Sequence, residues 1–594
     1  MHDRTKFYTQ RIAKLGEQHA TLSRQQREIS GLRLVLFLLM IGSIVWATLS
    51  GSVFLLVTLV LTGFFMAQVK RHAKVSLETS VIGNILQLNR DELAFMKGDK
   101  SLFPQGDIQL AVDHIYAIDL DIFGKGSLFQ AIDRTGTWEG KGLVIDTLLV
   151  PPKGISEIEQ RKESISELAK DVEWRQRFNV VGKMADETPD DMPSLRQWAQ
   201  QPDFFAGRGS WIWVARLMSA VSAAFIIWMV IVGEFYFLSL VALFIFNSAI
   251  RGLFNKELGG YFSTFGSKTK LFGKFADLFQ LVSKHAVTTP LAKQHFDKVH
   301  EAADAFLELS QLSNRAEQRR NGLVGPVMNG LFLYDVWNVY AIERWRLKHR
   351  DRIDPWIAAL ANIDMLSSLA NYRFNHPMFA DASVETGQSF LKAKEMGHPL
   401  LPFEESVKND YELGVTSKAH IVTGSNMAGK STFIRTVSLN IILALNGLPV
   451  CAKEFSCSVV SIASCIRITD SLEEHASYFR AELRRLEKII ALLKTGEPYL
   501  VLLDEILRGT NSDDKRMGTL AFFKKLKDYN CLAILATHDL VIGKLEEQFP
   551  EHYANYCFES SLSDGELRFD YRLRKGVSES TNATYLMRSL GLID

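Results

Sequence analysis

Four apolar runs divide the chain. Leu34–Leu49 and Gly51–Val69 carry no charge, Val214–Val232 is broken only by Arg216, and Phe235–Ile250 follows after Gly233-Glu234. Each is about 16–20 residues, close to what a helix needs to cross a hydrocarbon core. They come as two close pairs, so each pair predicts a helical hairpin with a short turn. Helices apolar on every side are hard to bury in a water-soluble core. The first run starts late and a second follows at once without a small-residue cleavage site, unlike a removed leader. Arg24, Arg27 and Arg33 precede the first hairpin and Lys70, Arg71 and Lys74 follow it. Arg208 and Arg216 stand at the start of the second, and Arg251 and Lys256 follow it. Both inter-helix turns lack lysine and arginine. The positive-inside rule then predicts a multi-pass protein of the cytoplasmic membrane, with the N-terminus, residues 72–205 and the C-terminal part in the cytoplasm.

Between the runs the pattern is polar and mostly helical. Residues 1–30, rich in Gln, Arg and Glu, predict a short cytoplasmic helix ahead of the hairpin at 31–70. Helical periodicity is expected around 75–98 and 154–185 within a first soluble segment, 71–205, with Pro151-Pro152 closing an apolar stretch before the second of these. A second hairpin, 206–252, leads to another helical segment, 253–385, periodic around 287–320 and 354–372. From about 386 to 594 short apolar strands alternate with helices, which predicts a nucleotide-binding α/β domain.

Charge narrows the choices little. A net charge of +1 gives no global basic signal for nucleic acid, so any such contact must come from a local patch. Cys451, Cys457, Cys465, Cys531 and Cys557 show no metal-like spacing and read as reduced, buried thiols.

The chemistry is concentrated in the last third. The apolar run Ala419–Thr423 leads into Gly424, Ser425, Asn426, Met427, Ala428, Gly429, Lys430, Ser431 and Thr432, a complete phosphate-loop spacing. Glycines let consecutive N–H groups turn toward phosphate oxygens, and the helix that follows adds its positive end. Lys430 is placed to reach the β- and γ-phosphates, and the Ser431 hydroxyl to ligate Mg²⁺. A second apolar strand, Tyr499–Leu503, delivers Asp504 and Glu505. Asp504 is the candidate partner of the metal, and Glu505 the candidate base for an attacking water. A third, Cys531–Thr537, ends at His538, a candidate γ-phosphate contact. The expected cofactors are therefore ATP and Mg²⁺.

Together these strings resemble the ATPase domain of the MutS family, of the ATP-binding-cassette type. Thr423–Thr432 is similar to the family's TGPNMGGKST-like string, Asp504–Thr510 to DEIGRGT, and Ala536-Thr537-His538 completes the set. Ala476–Glu482 resembles the signature segment. The resemblance implies that Ser477 contacts the γ-phosphate held by the opposite subunit of a homodimer, with Asn511 and Ser512 near the subunit crossing. His398-Pro399 and Val407–Asp410 resemble strings ahead of the family's phosphate loop. Weaker likenesses lie in Ile363–Ala370, Thr135–Gly140 and Ile158–Lys162, which resemble parts of a helical core and lever.

Departures from the family shape the expected function. Only about 30 residues precede the first span, too few for the family's mismatch-reading domain with its Phe-x-Glu wedge. Phe306-Leu307-Glu308 fits that tripeptide but falls in a helical stretch, where chance explains it. Ser406 stands where the family often has an aromatic residue against adenine; Tyr571 is the alternative. The expectation is a membrane-anchored ATPase acting on DNA or a DNA-bound protein partner. The competing expectation is a nucleotide-switched membrane scaffold without nucleic acid. Transport is disfavoured, because the spans hold almost no ionisable residue to line a path.

Overall fold

The computed structural model describes the chain apart from residues 1, 51–52, 204, 206–208, 233–235, 253–257, 259–267, 320–321, 323, 426, 468–477, 508–510, 564–565 and 579–594. It forms two compact units. One comprises Met1–Arg134, Val144–Val172 and Leu366–Asp594; the other Thr135–Leu143 and Glu173–Met365.

The first unit carries ten strands in chain order: β1 Ser383–Glu385, β2 Leu391–Met396, β3 Asn409–Leu413, β4 Ala419–Thr423, β5 Glu454–Ser458, β6 Ser461–Cys465, β7 Tyr499–Asp504, β8 Cys531–Thr537, β9 Tyr553–Ser563 and β10 Glu566–Lys575. They make a four-stranded sheet, β1-β5-β2-β3, and a six-stranded sheet, β10-β9-β4-β8-β7-β6. In the larger sheet β9, β4, β8, β7 and β6 run parallel, and β10 returns antiparallel on β9. Strands β4, β7 and β8 are buried at every residue, as expected of parallel strands covered on both faces. Register places Thr423 beside Thr537, and Asp504 beside Ala536. The C-terminal ends of the three central strands thus open on one edge, where open α/β sheets bind ligands.

The first hairpin is longer than its apolar part. The polar segment 1–30 is not a separate helix: it runs into the first apolar run as one helix, His2–Ser50. Likewise the second run continues as Val53–Met96, a helix of 44 residues spanning about 65 Å at 1.5 Å per residue. Neither junction carries a proline, and the helix runs through Ser30-Gly31 without a break. The two helices pair in step. Ser43 Oγ lies 2.8 Å from Thr58 Oγ1, the Phe37 and Phe65 rings are 6.2 Å apart, and Gln26 Nε2 donates to Ser76 Oγ at 3.2 Å.

In the apolar stretch the polarity is inside out. Leu34 is 60 % exposed, Leu38 58 % and Leu59 68 %, while Ser43, Thr58 and Thr62 face inward. Among the described residues two helices are long and apolar enough to cross a membrane, Arg4–Trp46 and Trp211–Met229, and Phe237–Gly252 is apolar but shorter.

The hairpin is tied to the rest of its unit at the base. Tyr8 Oη donates to Asn375 Oδ1 at 2.8 Å. Arg134 Nε meets Glu92 Oε1 at 2.6 Å with both side chains buried, and Asn371 Nδ2 donates to the same oxygen at 2.9 Å.

The second unit is helical. Its long helix Pro290–Gln318 buries Phe306 completely, against Phe275, Phe279, Trp345 and Trp356. The Phe-x-Glu tripeptide at 306–308 is therefore core packing. The expected helical stretch over 154–185 appears as two helices, Ile155–Leu168 in the first unit and Val172–Lys183, which from Glu173 on belongs to the second. Two of the weak family-like strings meet inside this unit. Asp364 accepts from the N–H groups of Gly136 (3.0 Å) and Thr137 (2.8 Å) and from Thr137 Oγ1 (2.6 Å).

Candidate nucleotide site

The loop after β4 needs its glycines. Gly424 has φ 149°, and a Cβ there would sit 2.7 Å from the Phe558 carbonyl oxygen. Gly429 has φ 104°, a left-handed conformation that a side chain resists, and a Cβ would press on the Tyr571 ring at 3.0 Å. The helix Lys430–Leu445 starts directly after it.

Lys430 is buried, and its Nζ donates to the carbonyls of Gly424 (2.8 Å) and Ser425 (2.9 Å). The ammonium thus curls back over the loop that is shaped to hold phosphate. Ser431 Oγ donates to Asp504 Oδ2 at 2.5 Å, which sets two hard oxygen donors side by side. Next to them Glu505 Oε1 lies 2.8 Å from His538 Nε2, and both His538 ring nitrogens are 3.4 Å from Lys430 Nζ. Burial, then the Lys430 charge, holds His538 below the ordinary imidazole range. A neutral ring at pH 7 follows, able to take one hydrogen bond and give another.

The strand ends that supply these groups are conformationally costly. Glu505 has φ 47° and Leu507 φ 64°. Two hydrogen bonds fix this turn: Glu505 N–H to the Ala536 carbonyl at 3.0 Å, and Leu507 N–H to Glu482 Oε1 at 2.6 Å. Glu482 is 1 % exposed, belongs to the helix Tyr478–Leu493 and is the last residue of the signature-like segment. A buried carboxylate spent on one backbone turn points to a site where loop geometry matters.

All of this opens into a cavity of about 480 Å³, lined by Ser425, Met427, Gly429, Lys430, Ser431, Thr432, Asp504, Glu505 and His538 on one side. Met396, His398, Ser406, Val407 and Tyr571 line the other. The residues fit ATP and Mg²⁺ on two observations. Ser425 Oγ is buried at the cavity without a hydrogen-bond partner among the described residues, and the Ser431–Asp504 pair is the donor type that Mg²⁺ takes. Ser406 has no ring to stack on a base, and its hydroxyl accepts the His398 N–H at 2.7 Å. Tyr571 stands over the loop on a bulge in β10, at φ 54°. Asn409 holds that bulge, accepting from Leu573 N–H at 2.8 Å and donating to the Tyr571 carbonyl at 3.1 Å.

Of the residues expected from sequence, Gly424, Ser425, Met427, Ala428, Gly429, Lys430, Ser431, Thr432, Asp504, Glu505 and His538 are placed in or beside this cavity. Asn426 and Ser477 lie outside the described residues. Asn511 caps the helix Ser512–Lys525, its side chain accepting from Asp514 N–H at 2.8 Å.

Sequence reasoning missed a clamp next to the site. Asp119 is 1 % exposed and accepts from Ser464 Oγ (2.6 Å), Ile466 N–H (3.1 Å) and Arg467 N–H (2.8 Å). Its carbonyl takes Arg435 Nε at 2.8 Å, one turn beyond Ser431 on the same helix. Asp121 meets Arg467 at 2.6 Å and Arg435 at 3.4 Å. Residues 119–121 thus join the phosphate-loop helix to the entrance of the segment that carries Ser477. Nothing in the local sequence of Asp119 signals this, because its partners are more than 300 positions away.

Comparison with known proteins agrees with the geometry over the same part of the chain. Residues 420–591 match the MutS domain V family. The DNA mismatch repair protein MutS of Chloroflexus aurantiacus is 30% identical over 256 residues, 41% of this chain and 26% of that protein. The protein of the same name from Thermotoga petrophila is 33% identical over 254 residues, 42% of this chain and 31% of that protein. The Endonuclease MutS2 of Bacillus velezensis is 28% identical over 254 residues, 41% and 31% of the two chains. These matches span less than a third of each relative. Residues 420–591, with the phosphate loop, paired carboxylates and histidine that they contain, thus form a domain of the MutS domain V family.

Proposed function

We propose that this chain is a membrane-anchored ATPase of the cytoplasmic face, which closes as a homodimer on ATP. Its work is on DNA or a DNA-bound protein partner rather than ordinary mismatch reading. The observation that carries the reading is the convergence of Lys430, Ser431, Asp504, Glu505 and His538 on one cavity.

The chemistry follows from the groups at hand. Lys430 exchanges its two loop carbonyls for β- and γ-phosphate oxygens, a stronger, charge-assisted bond. Ser431 and Asp504 hold Mg²⁺, which neutralises charge on the phosphates. Glu505 takes a proton from the attacking water, while His538 orients that carboxylate and contacts the γ-phosphate. Tyr571 stacks on the adenine. Ser477 of the opposing subunit completes the site, so turnover needs two chains.

Two features support membrane anchoring. Leu34, Leu38, Leu39, Leu56 and Leu59 point outward and the Ser43–Thr58 pair points inward, the arrangement that lipid favours and water does not. The basic residues flanking each hairpin put all soluble parts on one side. Both hairpins then cross, giving four spans per chain. A role on DNA is supported by what the relatives are named for. The second reading is a nucleotide-switched membrane scaffold without nucleic acid, favoured by the direct tie of the first hairpin to the ATP-binding unit through Glu92 and Arg134. Duplex DNA binding at low salt separates the two: binding that falls steeply with salt supports the first, and none with or without ATP supports the second.

The test of the ATPase reading is Glu505→Gln. It should keep MgATP binding, lose at least about a hundredfold in hydrolysis, and accumulate as an ATP-bound dimer. Hydrolysis at the normal rate would remove Glu505 as the base.

A further inference from the structure

A second chamber adjoins the nucleotide cavity. It holds about 300 Å³ and lies wholly within the first unit, between the foot of the first hairpin, the end of the helix Tyr334–Asn375, and the loop 399–405. Leu401 and Glu405 line both spaces, so that loop is a shared wall. The size reaches the lower end of the range for small-molecule sites.

Its walls have a consistent chemistry. Phe95, Phe379 and Phe403 give flat apolar faces, with Pro377, Pro399 and Pro402 between them. The charged groups facing it are Lys97, Lys100, Arg134 and Glu405. Arg134 is already neutralised by the buried Glu92 carboxylate at 2.6 Å. Lys100 makes no ion pair among the described residues; its ammonium sits 4.1 Å from the centre of the Phe95 ring. Burial, with the Arg134 charge beside it, lowers Lys100 from the ordinary lysine range. His376, held at a pKa of about 4 chiefly by burial, adds no negative charge. A half-buried cation without a counter-ion, over an aromatic chamber, is costly unless an anion offsets it.

We propose that this chamber is a second ligand site, distinct from the nucleotide cavity, for a small organic anion: one phosphate or carboxylate on a flat apolar body. Lys100 pairs with the anionic group, and the body lies among Phe95, Phe379 and Phe403. Because Leu401 and Glu405 belong to both walls, an occupant fixes the loop that also borders the nucleotide.

Pyridoxal 5′-phosphate is a suitable probe, being a flat aromatic phosphate whose aldehyde condenses with a lysine amine. The imine forms with loss of water, and added borohydride supplies the hydride that reduces it to a stable label. The full chain, in lipid nanodiscs with MgADP present, should be labelled at Lys100 at least about fivefold faster than at the exposed Lys170 and Lys293. Phenyl phosphate should protect Lys100 and leave those two unchanged. In unlabelled protein, Lys100→Met should weaken phenyl phosphate binding roughly tenfold, the loss of one charge-assisted bond. Labelling of Lys100 no faster than the surface lysines, or no protection by phenyl phosphate, overturns the proposal. Lys430 gives an independent reading: its labelling without nucleotide, suppressed by MgADP, reports on the nucleotide cavity whatever happens at Lys100.

Discussion

The nucleotide cavity and the first hairpin handle polar groups in opposite ways. At the cavity, polar side chains crowd the surface of an apolar sheet edge, and nearly every one is engaged: Lys430 with two carbonyls, Ser431 with Asp504, Glu505 with His538. In the hairpin Ser43, Thr58 and Thr62 are turned inward while Leu34, Leu38 and Leu59 are exposed. The proposed membrane location of the hairpin would account for the difference. A site that must take up a highly charged ligand keeps preorganised donors and carboxylates at an opening. A helix pair whose surroundings are hydrocarbon hides its hydroxyls and gains nothing from hiding its leucines. One compact unit contains both environments, joined through Glu92, Arg134, Asn371 and Asn375.

Substitutions should break this contrast in graded steps. Lys430→Ala should lower ATP turnover by roughly a thousandfold or more, since it removes the cation placed at the β- and γ-phosphates; a steady-state phosphate-release assay reads this. Glu92→Ala should come next. It strands the Arg134 guanidinium at a buried site and should cost about 3–5 kcal/mol of stability, read by denaturant unfolding of the first unit. On the hairpin's outer face, Leu38→Arg should raise the cost of membrane insertion by about 2.5–3.5 kcal/mol, measured in an insertion assay. The same change would matter little if that face met water.

Acid should separate the two regions as well. His376 and His398 are held at a pKa of about 4 and His420 at about 3, each chiefly by burial. For these groups the folded state disfavours the proton that the unfolded chain binds near 6.5. Stability is therefore fully present above pH 6.5 and falls as pH drops toward 4. At pH 5 each histidine should have cost on the order of 2 kcal/mol, visible as a lower unfolding midpoint. The hairpin's apolar stretch has no titrating group to respond. The smallest effect belongs to Ser43→Ala, about 0.6 kcal/mol in hairpin pairing, if its bond to Thr58 sits in lipid as a typical inter-helix hydrogen bond.

The cavity was legible in the sequence because its chemistry is written locally. Gly424 to Thr432 is one contiguous loop, and Asp504, Glu505 and His538 each end an apolar strand, so parallel pairing alone brings them together. The position of Tyr571 was harder to read, since it depends on a bulge that Asn409 holds from 162 positions away. The continuity of the helix His2–Ser50 is hidden in the sequence because a change from polar to apolar composition along one helix looks like a change of element. The Asp119 clamp and the second chamber left no trace at all. Their parts are ordinary residues in unrelated stretches, and only the folded chain places Asp119 against Arg467, or Phe95 beside Phe403.

The account stands or falls on a nucleotide site that needs two chains. Steady-state ATP hydrolysis per chain, measured on the full-length protein in detergent across a range of protein concentration, tests this directly. Turnover per chain should rise with concentration and level off as dimers fill. Turnover per chain that is the same at every concentration, with a monomer throughout, would contradict it.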